Sequence, residues 1–232
     1  MNISYPTKNN LPWTSIYQLP DPVDPNTLSI LKKCWKDEDW GETFQNNRRG
    51  VNQTAIYPCT RKVDYDPTIP CSNKILETAI INVTEDIKKL FTVPMSLLWA
   101  ELTLLTPNGT IRWHHDRLAN GILSSRIMIP LTDNKDVKNY FCSWNENTPT
   151  DRGDFSPLHY LSDDIHDVEM KSGFFYVFNH RIPHKTESKS PDPRGMLVLD
   201  MIPTESTDKI TNQLGPITEF EKIKILPPHI IS

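Results

Sequence analysis

Glycine is scarce in this chain, 8 among 232 residues against 20 prolines, so the sequence predicts stiff loop turns and frequent breaks between short elements. Cysteine is scarce too. Cys34, Cys59, Cys71 and Cys142 stand apart with no CxxC spacing, which argues against a zinc ribbon and predicts buried thiols rather than a disulfide framework. No apolar run approaches the roughly 18 residues that a membrane span needs, so no transmembrane helix is expected. Positive charge is not in excess either: 25 basic against 29 acidic residues leave a net charge of -4. Nucleic acid is therefore not an expected partner, and small molecules or proteins are, although the stretch from Lys185 to Arg194 is locally basic. The opening residues lack a basic segment followed by an apolar one, which makes a cytoplasmic protein the expectation. Repeats and low-complexity tracts are absent as well, and solenoids and propellers drop out with them.

What is present is ordered as helices first and strands afterwards. Asp24 is placed to cap a helix over 25–37, with Pro25 as its first residue and Leu28, Leu31 and Trp35 on one face. A second helix is expected over 72–91, where Leu76, Ile80, Val83, Ile87 and Leu90 recur at helical spacing until Pro94 ends the pattern. Beyond Pro94, short apolar and β-branched runs predict strands over 96–105, 110–115, 124–131, 140–145, 173–178 and 195–202. Pro107-Asn108-Gly109 reads as a hairpin turn between the first two. The acidic stretch 146–167 is either an ordered lid or a loop excursion. The class is α+β, a double-layered β core with helical support.

Two segments carry chemistry. In His114-His115-Asp116, strand alternation can aim the first and third side chains into one cavity. Two histidines and one carboxylate on one face of an iron form the facial triad of non-haem Fe(II) oxygenases. Taken alone the motif is weak, because about one H-x-D/E match arises by chance in a chain with this many histidines and acids. The second segment raises its weight: 173–184 is a glycine-led aromatic strand ending in His184, with Arg194 ten residues later at the head of another apolar strand. His180 competes with His184 for the third ligand position, but it lies fourteen residues before Arg194. His115 falls on the opposite face of its strand, and His159 and His166 lie in the acidic excursion.

Over roughly 98–203 the sequence resembles the Fe(II)/2-oxoglutarate-dependent dioxygenases, and within them the aspartyl/asparaginyl β-hydroxylase-like branch that includes bacterial proline hydroxylases. The residues that carry the resemblance are His114-His115-Asp116, the strand Arg126-Ile-Met-Ile-Pro-Leu131, the run Gly173 to Asn179 with His184, and Arg194. Met128 departs from the pattern where many relatives have histidine, as does Glu187 where an asparagine often follows the distal histidine. The resemblance implies a double-stranded β-helix, the jelly roll shared with cupins. It implies one dioxygenase domain over 1–232, with helical and loop support over 1–94, the jelly-roll core over 95–203 and a C-terminal extension over 204–232. It implies that His114, Asp116 and His184 bind iron, that Arg194 pairs with the distal carboxylate of 2-oxoglutarate, and that Arg126 also binds this cosubstrate.

By period Arg126 points into the cavity while Ile127 and Ile129 point away. The implied cofactors are Fe(II), 2-oxoglutarate and O2, with ascorbate a candidate reductant. The implied reaction is hydroxylation of an unactivated C-H bond in a free amino acid or in a peptide or protein side chain, with release of succinate and CO2. A carboxylate at Asp116 fits hydroxylation, since related halogenases carry a small residue there. Trp113, Trp144 and Arg117 are candidates for contact with substrate, and Arg181, Asp151, Asp154, Asp163 and Asp164 are further partners for its charged groups. Two other readings compete: a non-oxidative cupin-like metal-binding protein or isomerase, and an interaction domain in which the histidines are surface groups.

Overall fold

Both helices start where a side chain can satisfy their first amides. α1 (Pro25–Asp37) is capped by Asp24, whose Oδ2 accepts from the Thr27 amide at 2.8 Å and the Thr27 hydroxyl at 3.0 Å. α2 (Lys74–Lys88) starts later than its apolar period predicts, because Asn73 takes the cap and its Oδ1 accepts from the amides of Ile75 and Leu76. Leu31, Trp35, Leu76, Ile80, Val83 and Ile87 are buried on the faces read from the sequence. The structure, a computed structural model, describes residues 3–4, 17–18, 21–37, 54–61, 73–89, 94–114, 125–133, 135–142, 165–179, 183–204, 224–225 and 229–230.

The strands are β1 (Ile3–Ser4), β2 (Tyr17–Gln18), β3 (Thr54–Arg61), β4 (Met95–Leu105), β5 (Thr110–His114), β6 (Ser125–Pro130), β7 (Val137–Phe141), β8 (His166–Val168), β9 (Tyr176–Asn179), β10 (His184–Ser188), β11 (Arg194–Pro203), β12 (Lys224–Ile225) and β13 (His229–Ile230). A seven-stranded sheet has the order β13-β2-β9-β6-β11-β4-β3, a four-stranded sheet β5-β10-β7-β8, and β1 pairs with β12. From β4 to β11 the chain passes back and forth between the two larger sheets, which is the winding of a double-stranded β-helix.

Two apolar layers result. Alternation along β11 sends Leu197, Leu199 and Met201 to the helix side, where they join Ile127, Ile129 and the buried faces of α1 and α2. Met196 and Val198 point the other way and join Met128, Tyr176, Phe178, Phe141, Val168 and Met170 between the sheets. Cys34 and Cys142 are buried thiols. Among the described residues no helix is long and apolar enough to cross a membrane.

Several expectations change. Pro107-Asn108-Gly109 does turn, with Asn108 at φ 55 and the Gly109 amide donating to the Thr106 carbonyl at 2.9 Å. It does not join a hairpin: β3 and β11 occupy both edges of β4, so the turn carries the chain across to β5 in the other sheet. β9 begins at Tyr176 rather than at Gly173, which sits in a turn at φ +81. β7 begins earlier than expected, at Val137, and 143–145 lie outside the described residues. β3 falls where the sequence predicts no element; it is an edge strand, where Pro58 is tolerated. The excursion over 146–164 lies outside the described residues.

Trp35 ties α1 to β11. Its indole nitrogen donates to the Thr103 carbonyl at 3.0 Å, and its ring lies so close to Gly195 that a Cβ there would stand 2.5 Å from Cε2. Only glycine permits this approach. Gly195→Ala is expected to destabilise the fold by about 1–3 kcal/mol through overpacking, read as a lowered midpoint in urea denaturation with an unchanged slope.

Candidate metal and cosubstrate site

His114 ends β5 and His184 opens β10, and antiparallel pairing sets them directly opposite each other. Their ring centroids are 4.2 Å apart at 53°. Both are buried, at 5% and 8% exposure, on the face that looks into the space between the sheets. His184 also stands opposite Phe141 of β7, and its ring packs with Phe141 at 6.1 Å and edge-on to Phe178 at 5.3 Å. Burial and pairing remove the reading in which these histidines are surface groups.

The pairing contains an irregularity. His184 faces His114 and Thr186 faces Ile111, so Lys185 alone opposes both Arg112 and Trp113. This additional residue on β5 is a β-bulge, and it reverses the inward and outward parity of the residues beyond it. Trp113 consequently lies outside the inter-sheet space, its ring 5.6 Å from the Lys185 ammonium, and does not line the cavity.

Two imidazoles side by side suit one metal, since ligands about 2.1 Å from a shared ion lie close together. They do not complete a site: among the described residues no three His, Cys, Asp or Glu side chains gather. Asp116 is two residues beyond the end of β5 and lies outside the described residues, as do His115, Arg117, Trp144, Asp151, Asp154, His159, Asp163, Asp164, His180 and Arg181.

Arg194 occupies the same inter-sheet space. It is 7% exposed, and its Nη2 lies 3.6 Å from the Met196 sulfur and 3.8 Å from that of Met170. Thioethers are weak acceptors, and among the described residues no carboxylate pairs with this guanidinium. Burial alone pushes its pKa down to about 10, which leaves it charged at neutral pH. A buried cation without an anion is costly and favours a ligand that brings one. Asn139 and Thr186 face the same interior, joined by a 3.1 Å hydrogen bond in which the hydroxyl donates.

Arg126 is treated differently. It lies opposite Asp200 in the β6–β11 pairing, and its Nε and Nη2 donate to the two carboxylate oxygens at 2.9 and 2.8 Å. Burial works against its charge, yet the charge and hydrogen bonds of Asp200, backed by the charge of Glu101, raise its pKa overall. Asp200 was not singled out from the sequence. The available signal was a carboxylate on an alternating position of the apolar strand Met-Leu-Val-Leu-Asp, which requires a buried partner. Met128 packs in the inter-sheet layer, and Glu187 is paired to Lys185 at 2.7 Å on the outer face.

No family model matches the chain, and no curated protein matches it in sequence. Solved structures do. HygX from Streptomyces hygroscopicus, crystallised with nickel, 2-oxoglutarate and hygromycin B, superposes with a TM-score of 0.57 at 14% identity, over 82% of this chain and 84% of that one. The non-heme alpha-ketoglutarate-dependent epimerase SnoN from nogalamycin biosynthesis gives 0.56 at 12% identity, over 82% and 77%. An oxidoreductase of the 2OG-Fe(II) oxygenase family from Burkholderia pseudomallei gives 0.56 at 12% identity, over 81% and 84%. The fold is that of these oxygenases. At such identities the likeness establishes the double-stranded β-helix and leaves chemistry to the residues.

The Arg126–Asp200 pair generates a prediction. Asp200→Ala strands the guanidinium and should cost about 3–5 kcal/mol in chemical denaturation. The double replacement Arg126→Met with Asp200→Leu should recover most of that loss, because no charge is then left buried alone.

Proposed function

We propose that the chain is an Fe(II)- and 2-oxoglutarate-dependent dioxygenase that hydroxylates an unactivated C-H bond, acting on a free amino acid or on a peptide or protein side chain. The observation that carries this reading is the meeting of His114 and His184, ring beside ring and buried, in the space that also holds the buried Arg194, which pairs with no carboxylate among the described residues. The donor chemistry fits: neutral imidazoles supply lone pairs to iron, and a buried guanidinium supplies two parallel charged hydrogen bonds to a carboxylate. His114, Asp116 and His184 would hold the metal, and Arg194 would hold the distal carboxylate of 2-oxoglutarate. On the sequence resemblance, the branch is the aspartyl/asparaginyl and proline hydroxylases, and the whole chain forms one catalytic domain.

When bound, iron with 2-oxoglutarate and O2 supplies the oxidation, releasing succinate and CO2. The residues of the chain do the rest. Phe141 and Phe178 pack against the His184 ring, fix its plane and keep water away from it. Arg194 fixes one end of the cosubstrate, and the thioethers of Met170 and Met196 yield to a carboxylate because they are the weaker acceptors. Arg126, for which the resemblance implies cosubstrate binding, has its Nε and Nη2 bound to Asp200 and braces β6 against β11 on the inner face.

The test is an anaerobic titration of metal-free protein with Fe(II) and 2-oxoglutarate, separately and together. A metal-to-ligand charge-transfer band that needs both additions is expected. It should vanish in His184→Ala and require a markedly higher 2-oxoglutarate concentration in Arg194→Ala. Bound iron without the band would remove 2-oxoglutarate from the proposal and leave the non-oxidative cupin-like metal protein or isomerase. An iron-free wild type would remove the metal centre itself.

A further inference from the structure

The outer face of the four-stranded sheet answers its inner face rung for rung. His114, His184 and Phe141 point inward from β5, β10 and β7, and the preceding or following residue on each strand, Trp113, Lys185 and Tyr140, forms a group on the outside. The Lys185 ammonium lies 4.4 Å from the centroid of the Tyr140 ring and 5.6 Å from that of Trp113. Both rings attract it through the negative faces of their π systems. Glu187 holds the same ammonium at 2.7 Å. Its carboxyl is kept below the usual carboxylate range first by the bond from Lys185, with a further hydrogen bond from Tyr140, so the four side chains are one connected group.

That group sits on the bulge. Opposed residues of an antiparallel pair share a face, so Ile111 shares the inner face of Thr186, and strict alternation from Ile111 would turn Trp113 inward and His114 outward. The additional residue reverses this and brings His114 to His184. Bulges bend a strand and leave one residue without its ladder partner. Here the Trp113 ring is anchored over Lys185, which in turn is anchored against Tyr140 on the next strand.

We propose that Lys185, held between Trp113 and Tyr140, is a positioning residue that fixes the β5 bulge and thereby turns His114 toward His184. Its consequence for metal binding rests on the proposed function; its consequence for the two rings does not.

The closing experiment uses the full chain with Lys185→Met, which keeps length and apolar bulk but removes the charge. Lys185→Arg restores a cation over the rings, and Lys138→Met is the control for loss of a neighbouring charge on the same outer face, where Lys138 stands opposite Glu187 and forms an exposed 2.7 Å pair with Asp167. Trp113→Leu removes the other half of the contact and serves if Lys185→Met does not fold. Two readouts are taken: the nuclear Overhauser contact between the His114 and His184 rings in metal-free protein, and the affinity for Fe(II) alone by anaerobic calorimetry. The contact should be present in wild type, Lys185→Arg and Lys138→Met and lost in Lys185→Met, with Fe(II) affinity falling about tenfold or more in the last. A ring contact that survives in Lys185→Met overturns the proposal. Its loss with Fe(II) affinity unchanged overturns the consequence for metal binding. A wild type that shows the ring contact and binds no Fe(II) overturns the proposed metal function, and the clamp is then decided by the ring contact alone.

Discussion

The pairing of β10 with β5 is the constraint on which the site depends. A strand has only two faces, and one residue of slip exchanges them, so whether an imidazole meets its partner or meets water is a question of parity. Here parity is set by the single additional residue opposite Lys185. His184 would face the interior on any register that keeps Phe141 beside it, since both belong to the regular β10–β7 pairing. His114 has no such security. The histidine pair is therefore asymmetric: one member is fixed by an ordinary ladder, and the other by an irregularity.

Charge in a dry interior is the second constraint, and the two inner arginines meet it in opposite ways. Arg126 is matched by Asp200 across a neighbouring strand, so its charge is compensated within the chain. Arg194 is buried as well, and among the described residues its side chain is offered only thioethers. A fold that depended on Arg194 for stability would gain nothing from leaving it so, because an uncompensated buried ion costs several kcal/mol, on the order of a large fraction of a domain's stability. The cost is explained if the compensating anion arrives with a ligand. The contrast between the two arginines thus separates an ion pair closed within the chain from the guanidinium to which the proposed function assigns a carboxylate ligand.

Much of this was legible in the sequence because it follows from period. α1 declares itself through apolar spacing and the Asp24 cap, α2 through apolar spacing alone, and β4 and β11 through long β-branched and apolar runs. His114, His184 and Arg194 stood out by type and spacing. β10 did not, since His-Lys-Thr-Glu-Ser carries no apolar alternation; its inward positions are His184, Thr186 and Ser188, polar residues facing a functional interior. The bulge was equally silent, as it is a relation between two strands and is encoded in neither. Trp113, a candidate for substrate contact, lies with its ring beside the Lys185 ammonium. The Pro107-Asn108-Gly109 turn was legible as a turn, but not the sheet into which it delivers the chain, because that depends on β3 already occupying the edge of β4.

β11 joins the parts together. Its odd-numbered residues, from Gly195 to Met201, rest on the helices, and its even-numbered residues, from Arg194 to Asp200, face the site. The strand therefore cannot move toward α1 without withdrawing Arg194, nor toward the cavity without opening the Trp35 contact at Gly195. Close packing makes both displacements costly, since interiors of this density tolerate little change in volume. The helical layer holds no candidate ligand among the described residues, yet it fixes the depth at which Arg194 sits. The four-stranded sheet carries both imidazoles, and among the described residues its outer face has no such helical backing and relies on side chains of its own. Two sheets that enclose one interior are thus braced by different means: apolar burial behind Arg194, and a cation between two aromatic rings behind His184.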